Sequence, residues 1–221
     1  MAIINPVWGE MRGSMGGITF SRNKGGNYAR LRIKPTDPSS AAQMNMRVAL
    51  NNISRLWSQS LDDAQRTAWN EYAEANPVPS RLGGWLSLTG HQFFCGLNSR
   101  LAMVGSPPQL NPPTSNAPTG VSISVLGEEL SQELSITFAP APLPSGHRLI
   151  AWWTLWRKPG TNPNLRQARV LAWSALQQAS PWTITVPTPT NDETRTNIYV
   201  CVMNANGQIS AYSKAEGVQL V

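Results

Sequence analysis

Histidine and cysteine are scarce in this 221-residue chain, at two each, and charged side chains make up only 14% of it. No apolar run approaches the ~18 residues that span a bilayer, so no membrane partner is expected. Acid–base, nucleophilic and metal chemistry all need clustered titratable groups, and this composition supplies few from which to build them. Cys95 and Cys201 fall in segments assigned below to different domains. No structural disulfide is therefore expected, and both are read as small buried apolar residues of a protein made in a reducing cytoplasm. The opening Met1-Ala-Ile-Ile-Asn-Pro6 has neither a basic flank nor an apolar stretch with a small-residue cleavage site, and no secretory signal is expected. With 41% apolar residues the chain can still bury real cores, and its length suits one large or two small domains.

What the sequence does have is 17 glycines, 18 prolines and nine tryptophans, unevenly placed. Charge is uneven too. Of the net +6, residues 1–36 hold +5, with Arg12, Arg22, Lys24, Arg30, Arg32 and Lys34 against Glu10. Glycine pairs, Gly16-Gly17 and Gly25-Gly26, bracket Ile18-Thr-Phe20-Ser-Arg22, and Tyr28-Ala-Arg30-Leu-Arg32-Ile-Lys34 alternates polar with apolar. Period two predicts a β-hairpin turning near Asn23-Lys24-Gly25-Gly26. In its second strand Arg30, Arg32 and Lys34 share a face with Tyr28, while Ala29, Leu31 and Ile33 take the other. A two-stranded hairpin is marginal alone in water, so this one must pack on the rest of the chain or on a neighbour.

Residues 39–105 read as three helices opened by one repeated device. Ser40 with Gln43, Asp62 with Gln65 and Thr89 with Gln92 have the spacing of a capping box. The first helix carries Ala42, Met46, Ala49, Leu50, Ile53 and Trp57 on one stripe, the second Ala64, Ala68, Trp69 and Tyr72, the third Phe93, Leu97, Leu101 and Val104. The loop Asn76-Pro77-Val-Pro79-Ser-Arg-Leu-Gly83-Gly84 is too broken to be helical. Three narrow stripes make a small core, so part of the burial is expected to come from the hairpin or from partners. Residues 106–120 are proline-rich and uncharged, which predicts an extended spacer.

From 121 onward short β-rich runs alternate with turn signals: Val121–Leu126, Glu133–Phe138, Arg148–Arg157, Ala168–Ser174, Trp182–Val186, Thr196–Asn204 and Gln208–Ser213. This is the cadence of a β-sandwich. Leu134-Ser-Ile-Thr-Phe138-Ala-Pro140 and Tyr199-Val-Cys-Val-Met-Asn-Ala-Asn206-Gly207-Gln-Ile-Ser210 resemble the second strand and last hairpin of a fibronectin type III domain, with Phe138 where that family usually has Trp. The resemblance implies an immunoglobulin-like sandwich and no particular chemistry. The expected fold class is thus α+β and multidomain. A basic arm (1–38) precedes a three-helix docking region (39–105), a linker (106–120) and the sandwich (121–221).

No set of side chains reads as a catalytic centre, and no enzyme, cofactor or metal site is expected. His91 falls in a helix's first turn and His147 in a Pro-Ser-Gly-His turn, ordinary places for a polar ring. Asp62-Asp63 suits a helix start, where the dipole favours carboxylates. Gly127-Glu128-Glu129 and Asp192-Glu193 suit solvated turns, and Gly13-Ser-Met-Gly16-Gly17 lacks a phosphate-binding spacing. Trp152, Trp153 and Trp156 leave sugar stacking open. Period two puts Trp152 and Trp156 on one face and Trp153 on the other, which equally suits a sandwich core and a neighbouring strand or subunit.

Arg22, Lys24, Arg30, Arg32 and Lys34 interleaved with Phe20 and Tyr28 fit either of two partners, phosphates and bases or an acidic protein surface. The succession Arg12-Gly13-Ser-Met-Gly16-Gly17-Ile-Thr-Phe20-Ser-Arg22-Asn-Lys-Gly25-Gly26-Asn-Tyr28, then Pro35-Thr-Asp-Pro38, Gln43 and Arg47, then Trp57 and Gln65-Arg66-Thr-Ala-Trp69-Asn-Glu-Tyr72, resembles a family of proteins encoded by tailed phages and prophages. It covers roughly the first half of the chain. The resemblance implies a virion structural protein made in the host cytoplasm, and the expectation drawn is a homo-oligomeric head decoration protein cementing the major capsid protein. In that scheme Arg22, Arg30, Arg32 and Lys34 meet acidic capsid surface, Phe20 and Tyr28 anchor, and the sandwich meets host protein or glycan or thickens the shell. The alternatives are a tail, collar or portal-proximal protein and, from another class, a nucleic-acid-binding protein.

Overall fold

Alternating and helical periods each find their element in the computed structural model, which describes residues 2–3, 12–23, 26–34, 36–80, 84–128, 133–158, 161, 163–187 and 195–218. The architecture is α+β, with three α-helices and four antiparallel sheets among the described residues. Contacts divide the chain into two units, residues 1–99 with 108–112 and residues 100–107 with 113–221. The division falls inside the third helix, and the proline-rich segment is shared between both units.

The first unit opens with β1 (Ala2–Ile3), β2 (Gly13–Met15), β3 (Ile18–Asn23) and β4 (Gly26–Leu31), in the order β1-β4-β3-β2. The β3–β4 ladder runs from Ile18↔Leu31 to Asn23↔Gly26, which is the hairpin that period two predicts; Lys24 and Gly25 lie outside the described residues. Two flanking strands are additional to it. The signal for β2 was the Gly16-Gly17 pair, which makes a second tight turn with Gly16 at φ +58°, a conformation glycine adopts without steric cost.

Helices α1 (Ala41–Gln59), α2 (Asp63–Ala75) and α3 (Gly90–Met103) follow, with a short ladder of β5 (Val78–Pro79) and β6 (Trp85–Leu86) between α2 and α3. Ser40 and Asp62 each complete a capping box with Gln43 and Gln65. Thr89 does the same at α3, its Oγ1 accepting from the Gln92 N–H at 3.3 Å while its own N–H donates to Gln92 Oε1 at 2.9 Å. These bonds satisfy backbone donors that a helix start leaves open. Asp62→Ala is expected to lower the unfolding free energy by about 1 kcal/mol, read from urea midpoints.

Ile53, Leu61, Trp69, Phe94 and Leu97 form this unit's core, with Leu56, Trp57, Tyr72, Phe93 and Cys95 packed around it. Three polar contacts tie residues 109–111 to the helices. Trp69 Nε1 donates to the Leu110 carbonyl (2.8 Å) and Gln65 Nε2 to Asn111 Oδ1 (3.0 Å), while the buried Asn98 amide both donates to the Gln109 carbonyl (3.1 Å) and accepts from its N–H (2.6 Å). The start of α3 also presses on α2: a Cβ added at Gly90 would lie 2.6 Å from Asn70 Oδ1 and 2.7 Å from the Asn70 N and Trp69 C atoms. Gly90→Ala must therefore separate the two helices, at an expected cost of about 1–3 kcal/mol in the same urea assay.

The second unit contains β7 (Ser122–Glu128), β8 (Glu133–Ala139), β9 (Arg148–Trp153), β10 (Arg169–Trp173), β11 (Trp182–Thr185), β12 (Thr196–Met203) and β13 (Ser213–Val218). They form two sheets, β11-β8-β7 and β10-β9-β12-β13. Leu134, Ile136, Phe138, Trp182 and Ile184 from the first sheet share one core with Leu149, Ala151, Trp153, Ile198, Val200 and Val202 from the second. Alternation decides these assignments, since successive residues point to opposite faces. The other face of β9 and β12 carries Ile150, Cys201 and Met203, which cluster with Leu101 and Val104; hence every residue of β12 is buried. The last strand lies later than the expected Gln208–Ser213. Ser210 instead donates its N–H to the Val202 carbonyl and accepts from the Val202 N–H through Oγ, and continuous pairing begins only at Ser213.

Candidate functional site

Register divides the residues singled out in the basic arm between two faces of the first sheet. Phe20 pairs with Ala29 and Gly13, Ile18 with Leu31 and Met15, and Arg22 with Asn27. These positions share one face. Thr19 pairs with Arg30 and Ser14, and Ser21 with Tyr28, on the opposite face. Phe20 and Arg22 therefore do not share a surface with Tyr28 and Arg30. Beyond Leu31 the strand ends, and Arg32 and Lys34 follow in an exposed extended segment, with the Arg32 N–H donating to the Gly17 carbonyl at 2.8 Å.

The residues that the charge pattern obscured are apolar. Met15, Ile18 and Leu31 form one cross-strand row and are 70%, 41% and 70% exposed. Phe20 and Ala29 in the next row are half-buried, and Ile33 beyond the strand is exposed. No described residue of this sheet is buried where its exposure is given. A sheet normally buries one face against another layer, and this one leaves its apolar face to solvent. Residues 1–36 carry five of the chain's six net positive charges, so the potential around the sheet as a whole is positive.

Within α3 the imidazole of His91 meets Cys95. Its Nε2 lies 3.4 Å from both Ser54 Oγ and Cys95 Sγ, and its ring packs edge-on against Trp57. Burial pushes the Cys95 thiol up, the opposite of what a nucleophilic thiolate requires. His147 Nδ1 bonds within its turn to the Ser145 carbonyl. Among the described residues no group of three or more His, Cys, Asp or Glu side chains could hold a metal ion, and no helix is long and apolar enough to cross a membrane. Glu129, Asp192 and Glu193 lie outside the described residues.

The tryptophans separate differently from the period-two expectation. Trp153 and Trp156 both enter the core of the second unit, 6.1 Å apart and edge to face, and Trp156 Nε1 donates to the Pro187 carbonyl at 2.6 Å. Strand β9 ends at Trp153, which frees the chain to turn Trp156 inward. Trp152 lies on the other face, edge-on to Tyr212 at 5.2 Å. No continuous aromatic platform results from the three rings. No protein-family model, no curated protein and no solved structure matches the chain.

Proposed function

We propose that this chain is an accessory structural protein of a tailed-phage virion, a head decoration protein that docks on the major capsid protein through its N-terminal half. The observation that carries the reading is the first sheet: an apolar face left open, in a segment that carries five of the chain's six net positive charges. Such a surface is stable in water only at a cost and is relieved by an acidic, partly apolar protein surface. The resemblance of the motif succession to tailed-phage proteins is what directs the reading to a capsid partner. Because Phe20 and Arg22 oppose Tyr28 and Arg30, one docking plane uses one set, and the apolar set with Met15, Ile18 and Leu31 gains more from burial. The second unit supports the companion reading of a displayed fibronectin type III-like sandwich. Leu134–Phe138 lie in β8, the unit's second strand, and Tyr199–Met203 of the segment resembling the last hairpin lie in β12, while β13 begins beyond that segment, at Ser213.

Shells purified from a strain lacking the protein, incubated with the full chain and with a form lacking residues 1–36, test the reading. The full chain is expected to bind at a stoichiometry matching capsid symmetry, and the truncated form to lose at least about tenfold in affinity. Equal occupancy by both forms overturns docking through the sheet. Binding in a dozen copies at one vertex favours a collar or portal position. Nucleic-acid binding through the Tyr28 and Arg30 face predicts a gel shift that weakens steeply with salt, and its absence removes that alternative.

A further inference from the structure

We infer that Asn206 is a deamidation site held in check by its own turn, and that it becomes reactive when the grip of residues 204–208 on Ser115 opens. Asn206 is the one asparagine in the sequence that is followed by glycine. Glycine is the neighbour that least hinders the reaction, because no side chain blocks the approach of its nitrogen to the asparagine amide. In that reaction the Gly207 backbone nitrogen, having lost its proton to hydroxide, attacks Asn206 Cγ. A C–N bond forms, the Cγ–Nδ2 bond breaks, and Nδ2 leaves as ammonia after taking a proton from water. Water then opens the cyclic imide at either carbonyl. One product is aspartate; the other is isoaspartate, whose main chain runs through the side chain and is one carbon longer. Both carry a new negative charge.

Both nitrogens of the reaction are held in the fold. The Gly207 N–H donates to the Asn204 carbonyl at 3.1 Å, and Asn206 Nδ2 donates to Ser115 Oγ at 3.1 Å. Asn204 Oδ1 accepts from the N–H groups of Asn206 and Gln208, each at 3.0 Å, an Asx turn that fixes the backbone between them. Gln208 Nε2 donates to the Ser115 carbonyl at 3.1 Å, so Ser115 is gripped twice, and Arg100 Nη1 donates to the Gly207 carbonyl at 3.2 Å. Gly207 is buried and sits at φ +77°, whereas Asn206 is half-buried. Attack requires the Asn206 amide to swing off Ser115 and the Gly207 N–H to leave its acceptor. The rate therefore follows the population of the opened turn. Each such event is recorded as a permanent charge next to the residue that Arg100 bonds, and isoaspartate shifts the turn's donors and acceptors out of step.

Incubation of the full chain in mildly alkaline buffer, with deamidation at Asn206 followed by peptide mass spectrometry, tests this. The wild type is expected to react more than about tenfold more slowly than the same chain unfolded in urea. Ser115→Ala, which removes one exposed acceptor, is expected to speed the reaction about fivefold, and Asn204→Ala, which removes the Asx turn, more than about tenfold. Asn206→Gln is expected to abolish the signal. Near-UV circular dichroism identifies a variant whose second unit unfolds; should Asn204→Ala do so, Ser115→Ala decides. Equal rates in wild type and Ser115→Ala, or a wild type as reactive as the unfolded chain, overturn the proposal. No partner enters the assay, so its outcome is separate from that of capsid docking.

Discussion

Replacing Trp69 with alanine is expected to remove most of the stability of the first unit, about 3–5 kcal/mol. The side chain is fully buried, packs edge-on against Tyr72 at 5.8 Å and Phe94 at 5.5 Å, and belongs to a cluster of five buried apolar residues among the described ones. A small core has little slack to collapse into the void, and a loss of this size is comparable with the whole stability of a small domain. Trp69 also reaches the Leu110 carbonyl through Nε1, so the variant releases residues 109–111 as well. Trp69→Phe separates the two contributions, because it keeps most of the ring packing and deletes the donor. It is expected to cost about 1–3 kcal/mol, the loss of packing volume plus the carbonyl left without its partner. Hydrogen exchange read by peptide mass spectrometry distinguishes the variants. Trp69→Ala should abolish slow exchange in α1 and α2, while Trp69→Phe should first expose amides around residues 109–111. Unchanged protection in α2 after Trp69→Ala would contradict the role assigned to this core.

Local signals were legible in the sequence where one residue decides the backbone. The three capping boxes place the helix starts because each needs only a small acceptor and a Gln three residues apart, and the structure puts Ser40, Asp62 and Thr89 at those places. The β3–β4 hairpin follows from period two in the same way, and β7 through β12 from short β-rich runs divided by turn signals. Features set by distant partners were less so. The strand β1 depends on Ala2↔Ala29 and Ile3↔Tyr28 pairing, which two residues cannot announce. The position of β13 depends on Ser210 closing the turn onto Val202. Proline content predicts an extended segment over 106–120, and the segment is not helical; its anchoring by Trp69, Asn98 and Gln65, and by Asn206 and Gln208 to Ser115, is tertiary. The basic arm shows the same limit. Composition counts its cations correctly, but only the ladder shows that Arg22 and Arg30 face apart and that the exposed apolar row runs through Met15, Ile18 and Leu31.

Alkaline pH is expected to destabilise the second unit, with Cys201 as the main sensor. Its thiol sits among Leu101, Val104, Ile150 and Met203, and burial pushes it from the ordinary 9.0 up to about 12, with the Arg100 charge opposing in part. The Tyr212 phenol is pushed up as well, by burial first and then by its proximity to Cys201. Both groups hold their protons more tightly folded than unfolded. Their contribution is therefore complete below pH 9 and drains away as pH rises toward 12, because the unfolded chain ionises first. For Cys201 alone the slope approaches about 1.4 kcal/mol per pH unit in that window, up to about 4 kcal/mol in all. Lys214, raised chiefly by its bond to the Glu216 carboxylate, acts in the same direction from an exposed position. Thermal unfolding followed from pH 7 to pH 11 should show a flat midpoint to pH 9 and a fall beyond it. Cys201→Ala leaves a small void and lowers the midpoint at neutral pH, yet it should fall less steeply above pH 9 because the buried acid is gone. Alkylation gives an independent reading: Cys201 should resist iodoacetamide at pH 9 until the unit opens, since the reactive species is the thiolate. An alkaline slope identical in wild type and Cys201→Ala would show that the proton lost on unfolding comes from another group.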